Sequence, residues 1–213
     1  MSLASLQDRL QNIYEVYPGH NVDDFLITDP RVADQLDNSF NTRNTKEKLL
    51  IRQDENELCL SLYIDEKIIQ DLGGKCLSPD AAQLSAHCLA VEGVSHFLFL
   101  AWRASYGHNV TAIEMELQAE IDKFVTVIQS WAHCTDRQDA LRYWLFENVT
   151  FADELTRKER DRYQEANTYA AKYCRWLQLE YLHQRRHQEL LNELRRFYRL
   201  GRAEKLRHIN QAC

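Results

Sequence analysis

Backbone breakers are scarce in this chain: 213 residues contain six glycines and three prolines. A turn-rich β-sandwich or barrel needs many more, so long helices are expected instead. The glycine patterns G-x-x-x-x-G-K-[ST], G-x-G-x-x-G and G-x-S-x-G are absent, which counts against nucleotide hydrolysis and α/β-hydrolase chemistry. The six cysteines (59, 76, 88, 134, 174 and 213) form no C-x-x-C pair and no zinc-ribbon spacing. The longest uncharged apolar run, residues 93–102, is interrupted by Ser95 and His96, so no membrane span is expected. The first ten residues lack a basic segment followed by an apolar one. No secretory signal is read there, and a cytoplasmic protein with reduced thiols is expected.

What is present is ordinary for a globular protein: 45% hydrophobic and 27% charged residues, spread along the chain. The net charge of -6 hides an asymmetry. Residues 1–154 hold 12 Lys and Arg against 25 Asp and Glu, whereas residues 155–213 hold 14 against 7. The basic residues are interleaved with core-type apolar ones, so the basic part is expected to dock on the acidic part of the same chain rather than on an acidic partner.

The pattern predicts a mainly α (α+β) fold: a helical array with a small N-terminal β-hairpin or short sheet. Leu3, Leu6, Leu10, Ile13 and Tyr17 mark a first amphipathic helix, ended by Pro18-Gly19. Phe25, Leu26 and Ile27 suggest a short strand, and Asp29-Pro30 starts a short helix. Residues 38–44 are polar and read as a loop. Residues 48–64 read as a hairpin, with Leu58, Leu60, Leu62 and Ile64 on a face that a helix must cover. A short helix over 66–72 is stopped by Gly73-Gly74. Ser78-Pro79-Asp80 starts a long helix running to about 104, and Thr111 with Glu114 forms a capping box for a second over 112–131. Asp136 caps a further helix, and from about 152 the pattern is helical almost to the end. The division drawn is an α+β part, 1–76, and a helical part, 78–213, sharing one core.

Residues 88–102 read C-L-A-V-E-G-V-S-H-F-L-F-L-A-W. Only Glu92, Ser95 and His96 are polar, and their i, i+3, i+4 spacing places them on one helical face. A helix this apolar is buried nearly all round, and it carries a carboxylate and an imidazole inside with it. Such groups are costly unless paired or bound. Arg103 continues that face. On the next helix Glu120 interrupts the stripe Ile113, Leu117, Phe124, Trp131, with Glu116 one turn before it and Lys123 three residues after. The short connection makes the two helices antiparallel neighbours. Glu92, His96, Glu116 and Glu120 therefore converge, supported by Ser95, Arg103 and Lys123. A buried charge network that sets helix register is the first reading of this group. The second is a site for a divalent metal (Zn, Fe or Mn) or for acid–base chemistry.

The stretch E-G-V-S-H resembles the H-E-x-x-H helix of zinc metallopeptidases over about forty residues. The resemblance aligns Glu92 with the first histidine, Gly93 with the catalytic glutamate and His96 with the second histidine. It puts Glu116 or Glu120 where a third ligand falls in the glutamate-liganded branch. Gly93 cannot act as a base, so the resemblance implies a way of holding a metal and no peptidase activity. The pair E-G-V-S-H-F-L-F-L-A-W-R-A and E-L-Q-A-E-I-D-K-F also resembles a set of bacterial proteins without assigned function.

The C-terminal arginines (185, 186, 195, 196, 199, 202, 207) and Lys205, with Phe197 and Tyr198 among them, could grip phosphates and stack on bases. The pI near 5.8 and the interleaved core residues make nucleic-acid binding the less favoured reading. His183 and His187 sit in a cationic setting unsuited to a metal, and His133-Cys134 has no identifiable partner. The expected function is a cytoplasmic helical protein of binding or regulatory type with an unidentified protein partner. A metal-dependent hydrolase using the same cluster comes next, then nucleic-acid binding.

Overall fold

Capping chemistry places most of the helices. In the computed structural model, which describes residues 1–37, 45–54, 57–72, 81–131, 135–149 and 155–212, α1 (Leu3–Tyr14) begins with a Ser2–Ser5 capping box and ends at Glu15 in the left-handed conformation. A single 3₁₀ turn (Val22–Phe25) leads into β1 (Leu26–Ile27), so the expected strand is real but only two residues long. Asp29 caps α2 (Pro30–Leu36), with Pro30 in its first turn.

Strands β2 (Glu47–Gln53) and β3 (Leu58–Ile64) are antiparallel, and β1 adds to β3 in parallel, giving the order β1-β3-β2. Along β3 the two faces divide at the C-terminal end. Leu62 and Ile64 enter the main core, whereas Tyr63 joins Ala33 and Leu50 in a small cluster under α2. Leu58 stays exposed, so the expected four-residue apolar face is buried only toward its end. Asp65 caps α3 (Glu66–Asp71).

The core is built on α4 (Ala81–Ser105) and α5 (Ala112–Ser130). Between them the chain turns at Gly107, whose φ of 69° is open to glycine at no steric cost, and Thr111 with Glu114 closes the capping box that starts α5. Side-chain pairs run His87 to Thr126, Ser95 to Asp122 and His96 to Glu116, which shows the two helices to be antiparallel. Residues 82–105 form a helix long and apolar enough to cross a membrane, which a count of consecutive apolar residues did not register. Most of that helix is buried inside the fold, as a core helix is.

Then follow α6 (Thr135–Arg142), which passes into a π turn over Tyr143–Glu147, and α7 (Arg157–Leu177), which passes into another over Gln178–Leu182. Arg185 at φ 57° breaks the chain direction before α8 (His187–Arg199), and α9 (Arg202–Ala212) closes it. α6 is described from Thr135 onward, with Asp136 in its first turn, and the capping of its start lies outside the described residues. Leu3, Leu10, Leu62 and Ile64 share one hydrophobic cluster with Val94, Phe97, Phe124, Tyr173 and Phe197. The polar loop at 38–44, the hairpin residues 55–56, the Gly73-Gly74 stop, the Ser78-Pro79-Asp80 start, the 73–78 boundary and His133-Cys134 lie outside the described residues.

Candidate functional site

The packing of α4, α5 and α7 around the end of the sheet produces a cluster of seven charged or ionisable side chains: His96, Glu116 and Lys123 are buried, and Glu47, Glu92, Glu120 and Arg162 are partly buried. Three of the four expected ligands come together closely. Glu92, His96 and Glu116 each offer a ligand atom, and these atoms lie within 4.8 Å of one another. His96 Nε2 is 3.6 Å from Glu116 Oε2, and His96 Nδ1 is 3.5 Å from Glu47 Oε1. Glu120 stands to one side. Its Oε1 is 2.8 Å from Lys123 Nζ, which is also 2.8 Å from Glu92 Oε2.

Two of the supporting residues go elsewhere. Ser95 Oγ donates to Asp122 Oδ2 at 2.6 Å, and Arg103 Nη1 donates to the Arg199 carbonyl at 3.4 Å. The helical face seen in sequence is wide enough to serve two neighbours: Glu92 and His96 look toward Glu116 and Lys123, and Ser95 toward the adjacent flank of α5. The cation that balances Glu116 is Arg162, with Nε 3.5 Å from Oε1. Beside it, Tyr163 has its phenol pushed up to about 12 by burial and by the negative charge of Glu116.

Glu47 and Arg162 were not found from sequence, although both carried a signal. Glu47 alternates with Leu49, which packs on the main core, so period two puts Glu47 on the inward face of β2. Arg162 lies four residues before Ala166 and eight before Ala170, extending the buried stripe of α7 by one turn. Gly93 supplies the third clue. A Cβ there would stand 3.0 Å from Leu62 Cδ1 and 3.1 Å from Glu47 Cγ. Glycine at this position admits the sheet and its Glu47 side chain against α4.

Burial and mutual charge set the protonation of the cluster. Glu47 is raised by burial, with the neighbouring Glu92 and Glu116 adding to the rise and His96 opposing it. Burial likewise raises Glu120, against the pull of Lys123. Burial opposes ionisation of Glu92 too, but Lys123 and His96 prevail and hold it below the ordinary carboxylate value. For His96 burial disfavours the imidazolium, yet carboxylates on both ring nitrogens hold it well above the usual imidazole value. Lys123 is raised in the same way by Glu120 and Glu92. Even so, polar capacity is left over: among the described residues Glu47 Oε1, His96 Nε2 and Arg162 Nε are buried without a hydrogen bond.

A second polar layer lies one step along α5. Buried Asp122 accepts from Ser95, from Tyr14 Oη and, at 2.9 Å, from Gln118 Nε2. Gln118 Oε1 in turn accepts from Lys205 Nζ at 2.8 Å. Burial raises Asp122 to about 6, its three donors opposing the rise, and lowers Lys205 to about 7. Lys205 also faces Phe99 and Phe197, with its Nζ 4.6 and 5.0 Å from the ring centroids. This layer ties α1, α4, α5 and α9 together.

The C-terminal arginines are largely engaged within the chain. Arg195 Nε donates to the Ile13 carbonyl at 3.0 Å, and Arg199 donates to the carbonyls of Tyr14 and Glu15 at 3.0 and 3.1 Å. These are carbonyls at the C-terminal end of α1, which need donors. Arg195 also pairs with Glu15, Arg186 with Glu180, and Arg202 with Glu165. Among the described residues no group of three or more metal-ligating side chains includes His183 or His187; His183 Nε2 lies 3.2 Å from Gln178 Nε2.

Comparison with family models, with curated proteins and with solved structures finds no match to this chain.

Proposed function

We propose that this protein binds one divalent cation at Glu92, His96 and Glu116, as a binding or regulatory protein. The observation that carries the reading is the 3.6 Å between His96 Nε2 and Glu116 Oε2. That is too long for a hydrogen bond, and close to the roughly 3.4 Å that separates two ligand atoms of a tetrahedral ion held at about 2.1 Å from each. His96 Nε2 is buried and has no hydrogen-bond partner, while Nδ1 faces the Glu47 carboxylate. A carboxylate on the far ring nitrogen is the usual means of orienting a metal-bound imidazole. Two carboxylates and an imidazole suit Zn²⁺, Fe²⁺ or Mn²⁺. A cation entering there takes the place of the imidazolium proton and draws β2, α4, α5 and α7 together.

A cytoplasmic setting belongs to the same reading; neither Cys59 nor Cys88 is in a disulfide. A partner protein is favoured over nucleic acid because Arg195, Arg199 and Lys205 are committed to contacts within the chain. Hydrolysis would require a base beside the ion. Gly93 offers none, and Glu120 is tied to Lys123.

Elemental analysis of the purified protein tests the proposal, followed by titration of metal-stripped protein with Zn²⁺ and Mn²⁺. One ion per chain is expected, together with a higher thermal midpoint, both lost in His96→Ala and Glu116→Gln variants that keep their helical circular dichroism. Failure to retain or take up a stoichiometric ion, with no shift in midpoint, would leave a charge network and remove the cation.

A further inference from the structure

A cavity of about 120 Å³ lies away from this cluster, on another face of α5. Its wall is formed by Phe124 and Ile128 of α5, Leu177 of α7, Leu182 of the following π turn and Leu190 of α8, and it receives Gln138 from α6. Three properties set it apart from a packing defect. The size is that of a small-molecule site: an engineered cavity of about 150 Å³ lined by Leu, Ile and Phe holds benzene. The lining is mainly apolar, with Gln129, Gln138 and His187 as its polar side chains, and His187 is exposed, which marks the solvent side. Gln129 Oε1 already accepts from Arg9 Nε at 3.1 Å. Gln138 is different. It is 3% exposed, and among the described residues its Oε1 is buried with no hydrogen-bond partner. A buried carbonyl oxygen left without a donor is a cost that a ligand bearing one can remove.

We infer that this cavity is a binding site for a compact, benzene-sized apolar molecule carrying a single hydroxyl or amine, whose proton is donated to Gln138 Oε1. Phenols are the simplest members of that class. The wall includes a π turn, a departure from α geometry that is frequent at functional sites. Selectivity follows from the arrangement. The apolar wall accepts phenol and toluene alike by shape, and only phenol satisfies the oxygen.

The experiment is calorimetric titration of the full-length protein with phenol and, separately, with toluene. It is repeated on Gln138→Leu, which removes the acceptor at similar volume, and on Leu190→Trp, which fills the space. Saturable one-to-one binding of both ligands to the parent protein is expected. The ratio of phenol to toluene affinity should fall about tenfold in Gln138→Leu, and Leu190→Trp should bind neither while keeping its helical circular dichroism. No saturable binding to the parent protein, the same phenol-to-toluene ratio in both proteins, or undiminished binding to Leu190→Trp would each overturn the inference. Should Gln138→Leu not fold, the parent and Leu190→Trp titrations decide the matter by themselves.

Discussion

Substituting Gly93 with alanine sets two effects of opposite sign against each other at the centre of α4. In a helix interior alanine is better than glycine by roughly 0.8–1 kcal/mol. Against this, the new methyl would stand 3.0 Å from Leu62 Cδ1, 3.1 Å from Glu47 Cγ and 3.3 Å from Glu47 Oε1. Carbon atoms in good contact sit about 3.5–4.0 Å apart, so the neighbours must yield by several tenths of an ångström. Leu62 is 0% exposed, and its strand is hydrogen-bonded to β1 on one side and β2 on the other. It has nowhere to move without repacking. Overfilling such a core costs about 1–3 kcal/mol, which outweighs the propensity gain and leaves a net loss of about 1 kcal/mol. Glu47 is the more mobile neighbour and takes most of the displacement, away from His96 Nδ1, now 3.5 Å from Oε1. Loss of an orienting carboxylate weakens metal affinity about 10- to 100-fold. Urea unfolding followed by circular dichroism, with a Zn²⁺ titration of the same samples, measures both effects. Gly93→Ala protein that is more stable by the full propensity gain, with unchanged Zn²⁺ affinity, would refute the close approach of Glu47 and the role assigned to it.

Burial, with the charge of Arg9 adding to it, pulls His87 down to about 4 from 6.5. The unfolded chain therefore takes up this proton well before the folded one. The linked stability is present above 6.5 and is lost as pH falls toward 4, on the order of 3 kcal/mol in all. A His87→Leu variant should show a flatter dependence of urea midpoint on pH across that window, and parallel profiles would remove His87 as the source. Lys205 works in the alkaline direction: with a folded value of about 7 against 10.5, its burial penalty is complete below pH 7 and relaxes as pH rises. Between pH 7 and 9.5 the parent protein should gain on the order of 3 kcal/mol relative to Lys205→Met; equal slopes would contradict this. Thr111→Ala and Thr156→Ala each remove the hydroxyl of a capping box and should cost about 1 kcal/mol in urea unfolding, with additive effects because the caps are on different helices.

The long helices were legible because their signals are local. Thr111-x-x-Glu114 starts α5 by pairing its own backbone donors, and Gly107 ends the preceding turn through a conformation glycine alone adopts freely. The hairpin followed from alternation in 58–64. Five of the seven side chains of the candidate site were equally legible: a glutamate and a histidine one turn apart in an apolar helix, with Glu116, Glu120 and Lys123 on its neighbour.

The rest depended on distance in sequence. Glu47 reaches His96 from a strand 49 positions away, and Arg162 reaches Glu116 from a helix 46 positions on. Neither pairing leaves a mark in any local window. Ser95 and Arg103 share the sequence face of His96, yet they turn to Asp122 and Arg199 because a helix face about 100° wide touches more than one neighbour. By itself the sequence determined the helical class, the small sheet and the burial of ionisable groups in α4, since helix periodicity and capping act between near neighbours. Only the tertiary structure decided which charges meet, because Coulomb and hydrogen-bond partners are chosen by proximity in space. That proximity is set by how the sheet, admitted by Gly93, and α7 close over the two central helices.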